Sequence, residues 1–477
     1  VPCRYHFKVE WYQTLSKACY DCPYNLTDCY RPDCIPGDGV QRPVIAVNKI
    51  IPGPSVEVCF GDEIVIDVEN GMSEDTVTLH WHGHSQWMSA HMDGVPMVTQ
   101  CPIQPRTTFR YNYLASTPGT HFWHSHTGTQ RGDGVFGPLV VRVSPERDVH
   151  RGLYDEDLVE HTLVVLDWVH DTGVSSMTRH HHSSGTNKPP TLQINGKGLY
   201  RAFPPASFTV KQGLRYRFRL INAGVLNCPI QLSIDNHSMT AISTDGIDIV
   251  PVKVDSLVSY AGERWDFILT ADRPIGNYWM RFRGLMDCDQ RFTSAHQVAV
   301  LRYMGSDPAH NPPGEVSYEA AAELQNILNP LNARLDETSL TPPELSAANR
   351  MGDPSLKPIP DNRIVLPFDF NPIDNAHFHK HNLYGYNQVE RASERVMTPQ
   401  LNGVSLKMPS SPLLSQHGDL DPATMCNLTT RDQRQRMLQQ CNGTYCECTA
   451  FIELQLNQVV ELVLIDLGGY CCMSFIP

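Results

Sequence analysis

The sequence predicts an all-β protein of three related β-sandwich domains in tandem, the first two complete and the third incomplete. Two observations carry this. Short alternating or Val/Ile-rich runs recur along the chain, broken by Gly, Pro, Asn and Asp, the pattern of strands separated by turns. One template of constant length also occurs three times: Val58-x-x-Gly61-Asp-Glu-Ile64-Val-Ile66-Asp-Val68-Glu-Asn70, Val210-x-x-Gly213-Leu-Arg-Tyr216-Arg-Phe218-Arg-Leu220-Ile-Asn222, and Leu454-x-x-Asn457-Gln-Val-Val460-Glu-Leu462-Val-Leu464-Ile-Asp466. Self-similarity of this kind marks repeated structural units.

Residues 1–40 read as a Cys-rich extension holding Cys3, Cys19, Cys22, Cys29 and Cys34. A first domain follows over 41–148 and a second over 160–304. Residues 305–360 form a Pro-rich linker with one helix expected around Ser317 to Asn329. The third domain opens at 361. In the first copy His80 and His82 follow ten and twelve residues after Asn70. The same offsets from Asn222 land on Leu232 and Ile234, and from Asp466 the first lands on Ile476. The second copy therefore lacks the histidine pair, and the third, over 361–477, is expected to be incomplete.

Fifteen cysteines in 477 residues, clustered near both ends, point to disulfides. Cys19-x-x-Cys22 lacks the second half that a zinc site needs. Sequons at Asn25, Asn236, Asn427 and Asn442 fit a secreted, extracellular glycoprotein. The net charge of -13 argues against nucleic acid as a partner. No apolar run reaches the roughly 18 residues of a membrane span, and a monomer is expected.

Two His-x-His pairs, His80-Trp81-His82-Gly83 and His124-Ser125-His126, stand in extended runs. Residues two apart on a strand project from one face, so each pair aims two imidazoles at one point. Imidazole is a favoured ligand of copper, zinc, iron and nickel. The two pairs together read as half of a multinuclear metal site. His180-His181-His182 reads as an exposed loop, and His377, His379 and His381 as a solvated strand face.

These motifs, with Met92-Asp93-Gly94-Val95-Pro96, Val98-Thr99-Gln100-Cys101-Pro102-Ile103, Gly119-Thr120-His121-Phe122-Trp123-His124, Gln130-Arg131-Gly132-Asp133-Gly134 and the opening Tyr20-Asp21-Cys22-Pro23, resemble the multicopper oxidases, in particular the laccase-like branch found in insects. The resemblance implies Greek-key cupredoxin-like sandwiches, a blue (type 1) copper in the third domain, and a trinuclear copper cluster between the first and third. It implies one-electron oxidation of diphenols, ascorbate or ferrous iron, with dioxygen reduced to water. Residue by residue, it gives His80 to type 2 copper and His82, His124 and His126 to the type 3 pair. Asp93 becomes a proton relay, with an Asp-Gly turn cap as the alternative. Trp81 and Trp123 would wall the site from water, and Cys101 would be tied to the third domain.

The His-Pro-x-His-x-His-Gly and His-Cys-His stretches of that family do not occur here. The chain as written is therefore expected to lack the type 1 site and to be inactive. The alternative function is a non-catalytic, truncated secreted copper-binding or interaction protein. A two-domain copper enzyme such as a nitrite reductase is disfavoured, because Cys228 and Cys288 lack histidine neighbours.

Overall fold

The structure, a computed structural model, describes residues 1–182, 186–198, 205–321, 326–333, 340–349, 354–372, 397–441 and 446–467. Eight strands build a first sandwich: β1 (Pro2–Gln13), β2 (Pro43–Val47), β3 (Val56–Cys59), β4 (Glu63–Asn70), β5 (Leu79–His82), β6 (Thr108–Leu114), β7 (Gly119–Ser125) and β8 (Phe136–Arg142). They form two four-stranded sheets, ordered β2-β1-β4-β6 and β3-β8-β7-β5. Alternate residues of β4 (Ile64, Ile66, Val68) join Phe7, Val9, Trp81, Tyr111 and Trp123 in the core between them, as the period of two requires. Part of the Cys-rich opening thus belongs to this sandwich. β1 runs parallel to β4 from Pro2↔Glu63 to Val9↔Asn70, burying Phe7 and Val9 in its core.

The second sandwich holds β9 (Thr162–Trp168), β10 (Thr191–Ile194), β11 (Ser207–Val210), β12 (Arg215–Asn222), β13 (Ile230–Ile234), β14 (Met239–Thr244), β15 (Ile247–Val254), β16 (Ser256–Ser259), β17 (Arg264–Thr270), β18 (Asn277–Gly284), β19 (His296–Tyr303) and β20 (Ile327–Leu328). Its sheets are ordered β10-β9-β12-β17-β14-β15 and β11-β19-β18-β13-β16-β20. The last region contains β21 (Asn362–Pro372), β22 (Met397–Leu401), β23 (Ser405–Leu406), β24 (Met425–Asn427), β25 (Glu447–Phe451) and β26 (Val460–Asp466), in sheets β22-β21-β26 and β23-β25-β24.

The repeated template is one structural device used three times. Its glycine or asparagine takes a left-handed conformation in the turn before the strand: Gly61 at φ 88°, Gly213 at φ 89° and Asn457 at φ 69°, a region open to Gly and Asn but costly for most residues. The strand that follows always pairs in parallel with one from earlier in the chain: β4 with β1, β12 with β9, β26 with β21. In the first two copies the closing asparagine is fully buried. Asn70 accepts from Met72 N–H and donates to the Asp75 and Ile103 carbonyls. Asn222 accepts from Gly224 N–H and donates to the Ser259 carbonyl.

Two expectations are corrected. Among the described residues, the helix expected around Ser317 to Asn329 is not seen: Glu319–Ala321 is a 3-10 turn, and β20 pairs with β16. Asn326 and Asn329 take φ 53° and 58°, which no helix accommodates, and the Asn329 amide donates to the Val258 carbonyl and Glu263 carboxylate. His180-His181-His182 ends an α-helix, α1 (Gly173–His182), rather than lying in a loop. The Asp133 carboxylate and Thr172 hydroxyl accept N–H groups of its first turn, satisfying donors a helix start leaves open. A second helix, α2 (Arg431–Gln440), starts from a Thr430/Gln433 capping box. His377, His379 and His381 lie outside the described residues.

Cysteine pairing within the Cys-rich opening joins Cys19 to Cys34 and Cys22 to Cys29. Cys228 and Cys288, weighed as copper thiolates, are bonded to each other, as are Cys426 with Cys448 and Cys441 with Cys446.

The first and second sandwiches meet through an apolar seam containing Val44, Phe122, Phe136, Leu166, Trp168 and Ile221, and beside it a buried ionic cluster. Thr120 of β7 donates to Asp266 of β17 at 2.6 Å, and Arg219 of β12 donates to Thr120 (2.6 Å) and Asp266 (3.1 Å). Arg217 pairs with the same carboxylate. Asp266→Ala would leave Arg217 and Thr120 without this carboxylate inside the protein and should cost about 3–5 kcal/mol. Denaturant unfolding measures this, and a loss below about 1 kcal/mol would show that the cluster does not hold the interface.

Leu462, Leu464 and Leu467 are each about 60% exposed along or just beyond β26, a hydrophobic edge of the kind that drives association. The Leu462→Lys/Leu464→Lys variant should stay monomeric at concentrations where the parent chain self-associates in sedimentation velocity. A parent chain that sediments as a monomer throughout would refute this.

Candidate metal centre

β5 and β7 pair antiparallel with Leu79 opposite Ser125, His80 opposite His124, Trp81 opposite Trp123 and His82 opposite Phe122. Alternation sorts these into two faces. His80, His82, Phe122 and His124 emerge together toward the second sandwich, whereas Trp81 and Trp123 point into the first sandwich's core, both fully buried. The two tryptophans therefore do not wall the site from water, because they are an odd number of residues from the histidines. They support the strands from behind, with Trp123 donating to the Pro54 carbonyl and packing on Phe7 with ring centroids 4.7 Å apart.

The ligand nitrogens of His80, His82 and His124 lie within 4.8 Å of one another. His80 donates from Nδ1 to the Asp93 carbonyl at 2.8 Å, and His124 from Nδ1 to the Ser125 carbonyl at 2.8 Å. Each bond fixes a tautomer and leaves an Nε2 lone pair free, the arrangement in which metal-binding histidines are usually held. His82 presents Nδ1 instead, 3.2 Å from His124 Nε2. Two nitrogens bound at about 2.0–2.1 Å to one tetrahedral ion stand about 3.3 Å apart, so this pair already has the spacing of two ligands on one metal. The ladder continues past β7, where His126 N–H donates to the Thr78 carbonyl. The His126 ring sits 5.5 Å from that of His80 and 6.0 Å from that of His124, at the margin of the tight three-histidine cluster.

Burial tunes these groups. Desolvation, reinforced by the Arg264 and Arg131 guanidinium groups, pushes the His82 pKa down to about 2. Burial first, then Arg131, lowers His124 well below its ordinary value, and burial also lowers His126. His82, His124 and His126 are thereby held neutral, the form that binds metal. Phe122 stacks on His82 and His124 at 4.5 and 5.0 Å, and Arg131 lies over the Phe122 ring while donating to the Ala223 and Gly224 carbonyls of the second sandwich.

Asp93 ends a 3-10 turn (Ala90–Met92) through its backbone N–H, which donates to Ala90 O. The turn-cap reading is thus met by the main chain, and the carboxylate remains beside the histidines with Oδ1 3.4 Å from His80 Nδ1. Gly94, at φ 79°, lets this turn press on β5: a Cβ there would come within 1.7 Å of the Leu79 carbonyl oxygen. Sequence reasoning did not single out His84 and His121, which lie behind His82 with rings 4.9 Å apart, nor Phe122 and Arg264. For His84 a signal existed, since it extends the same His-x-His spacing. Arg264 arrives from the second sandwich and had none.

Two family models, each described as multicopper oxidase, match residues 29–146 and 160–306, and together they cover more than half of the chain. The chain belongs to the multicopper oxidase family. It is 33% identical over 357 residues to Laccase-1 of Botryotinia fuckeliana, spanning 70% of this chain and 62% of that protein. It is 35% identical over 315 residues to Laccase-2 of Pleurotus ostreatus, spanning 62% and 56%. This multicopper oxidase chain thus spans about three fifths of the length of those curated relatives. Among solved structures it is similar to the laccase from Botrytis aclada (24% identity, TM-score 0.64, 90% of this chain and 70% of that one). It is also similar to Fet3p, a multicopper oxidase that functions in iron import (20% identity, TM-score 0.65, 90% and 71%). These likenesses establish the tandem sandwich fold, and membership implies that the protein binds copper.

A histidine whose folded pKa is depressed stays neutral while its unfolded counterpart takes up a proton. Stability is therefore full above pH 6.5 and falls as pH drops toward the folded value, about 2 for His82 and about 4 for His84. Each such histidine adds a slope of about 1.4 kcal/mol per pH unit in that window. Denaturant unfolding of the metal-free protein between pH 7 and 4.5 should show this decline, and His124→Phe should flatten it. An unchanged slope in the variant would contradict the assignment.

Proposed function

We propose that this chain carries half of the histidine set of a trinuclear copper cluster in a laccase-type oxidase. The complete enzyme couples one-electron oxidation of diphenols, or of another small reductant such as ascorbate or ferrous iron, to reduction of dioxygen to water. The observation that carries this reading is the convergence of the His80, His82 and His124 ligand nitrogens within 4.8 Å on one β-ladder. In this reading His80 holds the type 2 copper, and His82, His124 and His126 hold the type 3 pair. The first cupredoxin domain, 41–148, supplies all four, and the second, 160–304, supplies none. Bound copper provides the one-electron redox steps and the dioxygen affinity that side chains lack.

The chain's own residues hold and shelter that site. The Asp93 and Ser125 carbonyls orient His80 and His124. Ser125 donates to Gln130, which donates in turn to the Thr76 carbonyl, steadying the strand end between His124 and His126. Phe122 and Arg131 close the side toward the second sandwich. In this reading the Asp93 carboxylate, partly exposed and 3.4 Å from His80 Nδ1, passes protons between solvent and the cluster through a water. Five disulfides fit an extracellular protein, and the Cys-rich opening favours the insect-type branch.

One observation favours a second reading for the 477-residue polypeptide taken alone, a copper-binding protein without turnover. Among the described residues, ten cysteines are in disulfides, and the free ones, Cys3, Cys59 and Cys101, have no histidine beside them in sequence. A blue copper site needs a thiolate grouped with two histidines. Purified with copper, the polypeptide should bind the metal at least tenfold more tightly than His80→Ala or His124→Ala variants. It should show no intense blue absorption and no catechol oxidation above the His80→Ala control. Copper affinity indifferent to both substitutions would defeat the half-site. A strong blue band or steady turnover would defeat the second reading and leave the first.

A further inference from the structure

We propose that Cys3 and Cys59 form a disulfide that ties the two sheets of the first sandwich together. Cys3 lies on β1, opposite Ile64 of β4 in the parallel ladder. Cys59 closes β3 in the other sheet, and the turn that follows, in which Asp62 N–H donates to the Cys59 carbonyl at 3.0 Å, leads into β4. Both cysteines therefore flank the same end of β4. A single atom records their closeness: Asp62 Oδ2 accepts the Cys59 N–H at 2.9 Å and the Cys3 S–H at 3.7 Å. With one carboxylate oxygen between them, a side-chain rotation and a small shift of the Cys59–Asp62 turn bring the two sulfurs within bonding range. Burial first, then Asp62, raises the Cys3 thiol pKa, and Cys59 adds to the effect, as a neighbouring sulfur would.

Cys101, the remaining free cysteine among the described residues, cannot be the partner of either. It lies two residues before Ile103, whose carbonyl accepts from the Asn70 side chain at 3.0 Å, at the far end of β4. Seven steps of about 3.3 Å along that strand put about 23 Å between the two ends.

The oxidation requires an external disulfide, carried by a thiol–disulfide oxidoreductase or a small molecule of the secretory compartment. The exposed Cys59 thiolate attacks it, forming a mixed disulfide and releasing one thiolate. Cys3, deprotonated, then attacks the Cys59 sulfur and releases the second thiolate. The two cysteine protons end on the two departing sulfurs, the protein pair loses two electrons, and the external disulfide gains them. The new bond would fix the start of β1, the strand that carries Phe7 against Trp123 behind the histidine ladder.

Peptide mapping of the full chain secreted from eukaryotic cells, alkylated under denaturing conditions without reductant, tests this directly. The expected result is one cross-linked species joining the Cys3 and Cys59 peptides, with neither cysteine alkylated. In Cys3→Ser, Cys59 should become alkylated and the label count should rise by one. Recovery of both cysteines as free, alkylated thiols in the unsubstituted protein overturns the proposal, as does a Cys59 that stays blocked in Cys3→Ser. The map of the unsubstituted protein decides the matter even if the variant is not secreted.

Discussion

The register between β5 and β7 is the constraint on which this molecule depends. Setting His80 opposite His124 places three ligand nitrogens on one face and two tryptophans on the other. A slip of one residue in either strand would turn histidines into the hydrophobic core and tryptophans onto the histidine face. The indole rings therefore specify the site as much as the imidazoles do, because burying them fixes which way the ligands face.

Neutral histidines in a desolvated pocket need walls, and the first sandwich does not supply them alone. Phe122 and Arg131 cover the ligand face only because the Ala223 and Gly224 carbonyls anchor Arg131 from the second sandwich. Arg264, from the same sandwich, contributes to the low basicity of His82. The second copy of the repeat carries no His-x-His pair, yet through Arg264 it contributes to the electrostatics of the first. The Thr120–Asp266–Arg219 cluster keeps that wall in place.

Much of this was legible in the sequence, for reasons tied to particular residues. The template was readable because its Gly61, Gly213 and Asn457 each serve one backbone conformation, and because strand alternation is written directly in Ile64, Ile66 and Val68. The convergence of His80, His82 and His124 was readable because both His-x-His pairs are local in the chain. Trp81 and Trp123 adjoin the histidines in sequence yet face away from them, because adjacent residues on a strand point to opposite sides. The helix expected around Ser317 to Asn329 failed at two asparagines whose backbone angles only the tertiary setting fixes. The ionic cluster was not readable at all: Thr120 and Asp266 are 146 residues apart, and no local pattern links them.

The parallel ladders also bear on how such a chain comes to fold. Each template strand waits for a partner made earlier: β4 closes on β1 across 61 residues, and β26 on β21 across 98. Long-range closure of this kind is slow and favours folding in the order of synthesis. The first sandwich, with its histidine ladder, can complete while later residues are still being made. The sheet that holds β26 must wait longest, with its leucines uncovered in the meantime. For the ribosome, the histidine-bearing part of this protein is an early product and its apolar edge is a late one.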